Sequence, residues 1–171
     1  MSNMLLIKYS EIGVKGKNRY LFEDMLVRNI KSALKVLTDS WEVRKADGRI
    51  YVSCAETELE DAIEALEKVF GIAWICPVTQ IDPVGPKELK QAAVRFMKDT
   101  YDLKDPEKRY SFKVNCRRAE KSYPLDSVEV NMLVGEALLD AFPQLSVDVH
   151  QPEIMLHIEI RPKDINIYSK A

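Results

Sequence analysis

The spacing of hydrophobic residues changes repeatedly along this chain, and each change marks an element. Leu5, Leu6 and Ile7 open a short strand that runs to Tyr9. Phe22, Met25, Leu26, Ile30, Ala33, Leu34 and Leu37 then recur at helical spacing, with Glu23, Lys31 and Lys35 elsewhere on the wheel. Trp41 to Lys45 and Arg49 to Cys54 return to strand character around Asp47-Gly48, a dipeptide that suits a tight hairpin. Thr57 and Glu60 have the spacing of a capping box. Leu59, Ala62, Ile63 and Leu66 form the stripe of the helix that follows, which stops before Gly71. Ile72 to Gln80 is again strand-like. The predicted order is β-α-β-β-α-β, the ferredoxin-like arrangement.

Asp82-Pro83-Val84-Gly85-Pro86 is the clearest linker and divides the chain into 1–81 and 82–171. Pro86 also suits the first position of a helix. Leu89, Ala92, Ala93, Phe96 and Met97 predict that helix. From Tyr110 to Arg117 the pattern alternates, with Phe112, Val114 and Cys116 on one face and Ser111, Lys113, Asn115 and Arg117 on the other. Asp126, with Glu129 as its capping partner, starts a helix whose stripe is Val130, Val134, Ala137 and Leu138. Ile154, Leu156, Ile158 and Ile160 alternate with Met155, His157, Glu159 and Arg161 as a half-buried strand, and Ile165 to Tyr168 forms another. The fold class is α+β, a ferredoxin-like domain followed by a second α/β domain.

Composition narrows the class. Hydrophobic residues at 46% and charged residues at 30% fit a globular chain. No apolar run approaches the roughly 18–20 residues that span a bilayer, and the N-terminus lacks a signal-peptide cleavage pattern, so the cytoplasm is the expected location. Cys54, Cys76 and Cys116 stand far apart in apolar stretches and read as buried thiols. His150 and His157 have no clustered ligands, so no metal site is expected.

Charge changes the picture more. The net charge is only −2, yet Lys8, Lys15, Lys17 and Arg19 share their segment with one acid, Glu11. Lys113, Arg117, Arg118 and Lys121 likewise share theirs with Glu120 alone, whereas Glu56, Glu58, Glu60, Asp61, Glu64 and Glu67 fall together. Segregation of this kind fits a one-sided RNA footprint. Gly13-Val14-Lys15-Gly16-Lys17-Asn18-Arg19 is not a P-loop, because its glycines are too close and Asn18 replaces the hydroxyl residue. It keeps a flexible basic loop at the start of a helix, where an anion is favoured. In Lys113 to Tyr123 the strand phase gathers cations, and Tyr123 could offer its ring to an unpaired base. An ordinary solvated loop and a polar sheet face remain open for these two segments. No nucleophile arrangement or carboxylate pair emerges, so no catalytic residue is assigned.

These segments carry a resemblance. Lys8-Tyr9-Ser10-Glu11-Ile12-Gly13-Val14-Lys15-Gly16-Lys17-Asn18-Arg19 resembles the N-terminal signature of the tRNA 4-thiouridine synthetases, the ThiI family. Asp47-Gly48-Arg49-Ile50, Val69-Phe70-Gly71-Ile72 and Arg117-Arg118-Ala119-Glu120-Lys121-Ser122-Tyr123-Pro124-Leu125-Asp126-Ser127 resemble its later blocks in order. His150-Gln151-Pro152 and Ile158-Glu159-Ile160-Arg161 resemble the last. The likeness covers essentially the whole chain. Lys8 and Ser10 depart from the usual arginine and glycine, and Tyr123 from the usual phenylalanine.

The resemblance implies that the second domain is a THUMP domain and that both domains hold the acceptor stem and single-stranded 3′ tail of tRNA. Lys113, Arg117, Arg118 and Lys121 would contact phosphates and Tyr123 would pack beside a base. Lys15, Lys17 and Arg19 would add to the surface from the first domain, and Arg161 from the second. It further implies a following ATP-pyrophosphatase domain with a Ser-Gly-Gly-x-Asp-Ser loop, using ATP and magnesium, with a cysteine desulfurase as sulfur donor. Some members supply thiamine thiazole sulfur and some are homodimers. No such loop occurs here, so the expectation is a fragment that is not an enzyme by itself and holds no cofactor. Two other readings stay open: a protein-interaction or small-ligand regulatory module, and the RNA-binding part of another THUMP enzyme such as an RNA methyltransferase.

Overall fold

The computed structural model describes residues 4–9, 18–37, 40–46 and 49–170, and the chain forms two compact units that meet in sequence at Pro77 and Val78. The first runs β1 (Met4–Tyr9), α1 (Arg19–Lys35), β2 (Glu42–Ala46), β3 (Arg49–Ser53), a 3-10 turn (Glu56–Glu58), α2 (Leu59–Leu66) and β4 (Ile72–Ile81), which continues into the second. Its strands lie in the order β2-β3-β1-β4, with β3 antiparallel to β1 and β2. Leu5, Ile7, Ile50 and Val52 point to one side of the sheet and bury against Leu26, Ile30 and Leu34 of α1 and Ala62 and Leu66 of α2. Gly71 ends the connection into β4 with φ 99°, and a Cβ there would lie 3.1 Å from the Phe22 ring, so strain and space both call for glycine.

One expected cap is corrected. Thr57 does not start α2. The chain first makes a 3-10 turn, in which the Glu58 N–H donates to the Ala55 carbonyl (2.9 Å), and the helix begins at Leu59 with no side-chain cap. Thr57 is a member of that turn and stays exposed, so it does not stand at the position that the spacing suggested. The Asp47-Gly48 hairpin lies outside the described residues.

In the second unit the end of β4 pairs antiparallel with β8 (Ile165–Lys170), and β8 pairs antiparallel with β7 (Ile154–Ile160). β5 (Tyr110–Arg118) lies parallel to β7 on one side and to the short β6 (Leu145–Val147) on the other. α3 (Pro86–Thr100) and α4 (Ser127–Ala141) cover one face through a core containing Phe96, Met97, Phe112, Val134, Leu156 and Ile158. Phe112 is fully buried, and Phe112→Ala is expected to cost about 3–5 kcal/mol in a denaturation measurement.

Pro86 occupies the first turn of α3. The Asp126 capping box forms completely: Glu129 N–H donates to Asp126 Oδ1 (2.8 Å) and Asp126 N–H donates to Glu129 Oε1 (3.1 Å). The half-buried reading of β7 is corrected, because Glu159, on its polar face, is only 4% exposed and accepts from Tyr168 Oη at 3.0 Å. A buried carboxylate needs a donor, and β8 supplies it. Among the described residues no helix is long and apolar enough to cross a membrane.

Candidate nucleic-acid interface

The basic segment of the second unit leaves β5 through a turn that the protein itself holds in place. Ala119 and Glu120 N–H groups both donate to the Ile160 carbonyl, at 2.8 and 3.0 Å. Glu120 Oε1 accepts from the Ser122 N–H (3.2 Å) and hydroxyl (2.9 Å), and those bonds hold its carboxyl below the usual range. Arg118 lies across the turn and donates from Nη1 to the carbonyls of Lys121 (3.1 Å) and Tyr123 (3.3 Å). Its guanidinium therefore finds partners inside the protein, and it acts first as a positioning residue for its neighbours.

Those neighbours are uncommitted. Lys113, half-buried on the sheet face, and the exposed Arg117 and Lys121 pair with no carboxylate among the described residues. Register sets Lys113 beside Met155, Asn115 beside His157, and Arg117 beside Glu159. His157 stacks on Tyr168 at 4.8 Å between ring centroids, so polar and aromatic groups line the side of the sheet opposite α3 and α4. Without an internal partner among the described residues, Arg117 and Lys121 are free to meet a phosphate.

Tyr123 is corrected as a stacking platform. Its ring packs against the helix-side core, and its Oη is buried with no hydrogen-bond partner among the described residues. Burial pushes the phenol up to about 12, with the charges of Cys116 and Glu88 adding to the rise. The chain turns after Arg118, so the alternation that faced Lys113 outward no longer applies at Tyr123. Burial likewise raises Cys116 to about 11 against the opposing charge of Arg118, which leaves the thiol inert at neutral pH. Arg161 is also held internally: its Nε lies 3.1 Å from Asp164 Oδ1, and its N–H donates to the Asp164 carbonyl in the turn between β7 and β8.

In the first unit, Lys15 and Lys17 lie outside the described residues. Arg19 opens α1 and donates from Nε to Tyr9 Oη (3.2 Å), with Glu23 Oε1 at 3.7 Å. Three other cations of this unit are engaged as well. Lys8 Nζ sits 5.3 Å from the centre of the Trp74 ring, Arg44 lies 4.8 Å over Tyr51, and Lys45 pairs with Asp24. The sequence reading did not single out Trp74, and its position in an apolar strand gave no sign that it is 44% exposed.

The two units are thus a ferredoxin-like domain and an α/β domain with a basic, internally braced turn. The ThiI ferredoxin-like domain family matches residues 4–76 and the THUMP domain family matches residues 86–170. Over those two spans the chain belongs to these families. A protein named "Probable tRNA sulfurtransferase" from Lachnospira eligens is 50% identical over 170 residues, 99% of this chain and 42% of its own length. The crystal structure of a 4-thiouridine synthetase–RNA complex with bound ATP matches 99% of this chain and 41% of its own, with 31% identity and a TM-score of 0.80. TrmN from Thermus thermophilus, at 20% identity and a TM-score of 0.64, shares the fold. The chain spans about two fifths of the length of the curated relatives it matches.

Proposed function

We propose that this chain is the tRNA-gripping front end of a tRNA 4-thiouridine synthase, holding the acceptor stem and 3′ tail while chemistry takes place elsewhere in the parent protein. The observation that carries the reading is the fit of both units, over 99% of the chain, to a 4-thiouridine synthetase that was crystallised with RNA. The braced turn supports it from the physical side, because Arg118 and Glu120 fix the backbone that presents Arg117 and Lys121. In this reading ATP and magnesium belong to the parent's catalytic domain, a cysteine desulfurase supplies the sulfur, and the parent acts in the cytoplasm, with homodimerisation and thiamine thiazole sulfur as further roles. The methyltransferase alternative has only a shared fold behind it.

The test is titration of a fluorescent tRNA with the chain across a range of salt. Each phosphate contact to a single strand should contribute about −0.7 to the slope of log affinity against log salt. Arg117→Glu with Lys121→Glu should weaken binding and flatten that slope. Unchanged affinity and slope in the double variant would remove the assignment.

A further inference from the structure

The helices of the first unit carry more apolar surface than its core uses. On α1 the buried stripe is Leu26, Ile30 and Leu34. Ala33 and Leu37 run beside it at the same spacing, yet Leu37 is 42% exposed and its neighbour Val36 is 84% exposed. The Leu37 N–H donates to the Leu34 carbonyl (3.0 Å), which carries the winding past Lys35 and holds both residues on the rim. α2 repeats the pattern, since Ala62 and Leu66 are buried whereas Ala65 and Val69 are only half-buried. These surplus residues face one another across a groove of about 470 Å³ between the two helices. Phe70, next in the chain to Val69, is 86% exposed. It belongs to the Val69-Phe70-Gly71-Ile72 block, to which the proposed RNA contacts give no role.

The rim carries an ordered set of charges. On the α2 side the groove is edged by Asp61, Glu64 and Lys68, about one helical turn apart, so it reads acid, acid, base toward Val69. Glu60 and Glu67 extend the negative field, and none of these five side chains has a hydrogen bond or ion pair among the described residues. Lys31 and Lys35 stand two positions either side of Ala33, which sets them on the far side of α1 from the groove. Glu60 and Asp61 suit the first turn of α2, but the helix has no use for the rest. Glu64 repels Glu60 at i,i+4, and Glu67 stands at the C-terminal end, where the helix dipole favours a base.

We propose that this groove docks an amphipathic helix of a partner protein, one whose apolar stripe is flanked by two bases. Two helices side by side leave a trough that a third fills with residues at i, i+3, i+4 and i+7. Val36, Leu37 and Phe70 supply exposed apolar anchors, and apolar surface rimmed by charge marks a protein contact. The rim carboxylates repel phosphates, so RNA does not suit the groove. A small apolar ligand would fill its floor and leave Phe70 and the charges in water. The order of charges also sets a direction. The bases of the docked helix lie beside Asp61 and Glu64 and an acid falls beside Lys68, whereas the reversed helix would set like charges together.

The experiment selects helical peptides against the whole chain from a displayed library with a fixed leucine stripe and randomised flanks. The enriched peptides are expected to carry lysine or arginine on their flanks and to bind the chain in anisotropy titrations. Phe70→Ala and Val36→Glu should each weaken that binding about tenfold, the ordinary loss at an interface anchor. Asp61→Lys with Glu64→Lys should abolish it, and selection against that variant should enrich acidic flanks instead. All four positions are exposed, so the variants should keep the unfolding temperature of the parent. Phe70→Ala and Val36→Glu should also bind tRNA as the parent does, which separates this surface from the basic turn. A library that enriches no peptide, or peptides whose binding survives Phe70→Ala and Val36→Glu, overturns the proposal. Selection of acidic or neutral flanks by the parent does the same. A dimer in sedimentation that Val36→Glu dissociates gives the groove to a second copy and likewise overturns it.

Discussion

The two units use their cations differently. In the first, Lys8 and Arg44 lie over rings, Arg19 is bonded to Tyr9 and near Glu23, and Lys45 pairs with Asp24. In the second, Arg118 and Arg161 are tied to carbonyls and a carboxylate, while Lys113, Arg117 and Lys121 have no partner among the described residues. Counting these four residues therefore overstates what they offer an anion. A charge already neutralised by a neighbour attracts a polyanion weakly, and an exposed pair is worth little to the fold in any case. What matters is which cations remain uncommitted after the fold has formed.

The sharpest way to break this contrast is to reverse charges in both units. Arg117→Glu with Lys121→Glu should weaken tRNA binding at least about tenfold and reduce the salt slope by about 1.4, the loss of two phosphate contacts. Arg44→Glu with Lys45→Glu should move affinity far less, and equal losses would show that the division into committed and uncommitted cations is wrong. Arg118 divides stability from contact. Arg118→Ala should destabilise the second unit by about 1–2 kcal/mol in urea unfolding, since two carbonyls lose a charged donor. Lysine should restore part of the loss, because both carbonyls are met by one nitrogen, Nη1, and an ammonium also carries several donors.

The helix starts extend the comparison to smaller effects. Asp126→Ala removes a working cap from α4 and should cost about 1 kcal/mol. Asn18→Ala should cost little, because Asn18 precedes α1 without a side-chain cap bond. The smallest effect belongs to Tyr123→Phe, which deletes a buried hydroxyl without a partner and should be neutral or slightly stabilising at pH 7. Its effect on pH dependence is larger. The folded phenol sits near 12 against an ordinary value of 10.0, so the folded state binds more protons between them. Stability fully present below pH 10 is then lost as pH rises toward 12, and Tyr123→Phe should flatten that part of a melting-temperature profile. Phenylalanine is what this environment prefers.

Much of the fold was legible because its signals are local. The β-α-β-β-α-β order, Pro86 at the start of α3 and the Asp126–Glu129 capping box each depend on residues a few positions apart, and the structure shows all three. Thr57 failed because the competing 3-10 turn uses backbone bonds that a side-chain spacing does not report. β6 went unread because three residues are too few for a period. At the candidate site, strand phase placed Lys113 and Arg117 correctly relative to the core but could not reach past the end of β5. There Arg118 bends back, Tyr123 turns inward, and Asn131 approaches from a helix fifteen residues later. Glu159 showed the same limit, since alternation names a face without saying what lies against it.

The Ile160 carbonyl, which takes the amides of Ala119 and Glu120 together, ties the end of β7 to the start of the basic turn. The turn is thereby ordered before any ligand arrives, and association carries no folding step for it. Its rate should follow electrostatic encounter and fall with ionic strength, and the heat capacity change on binding should match surface burial alone. Speed of capture, more than strength of hold, is what that one shared carbonyl secures.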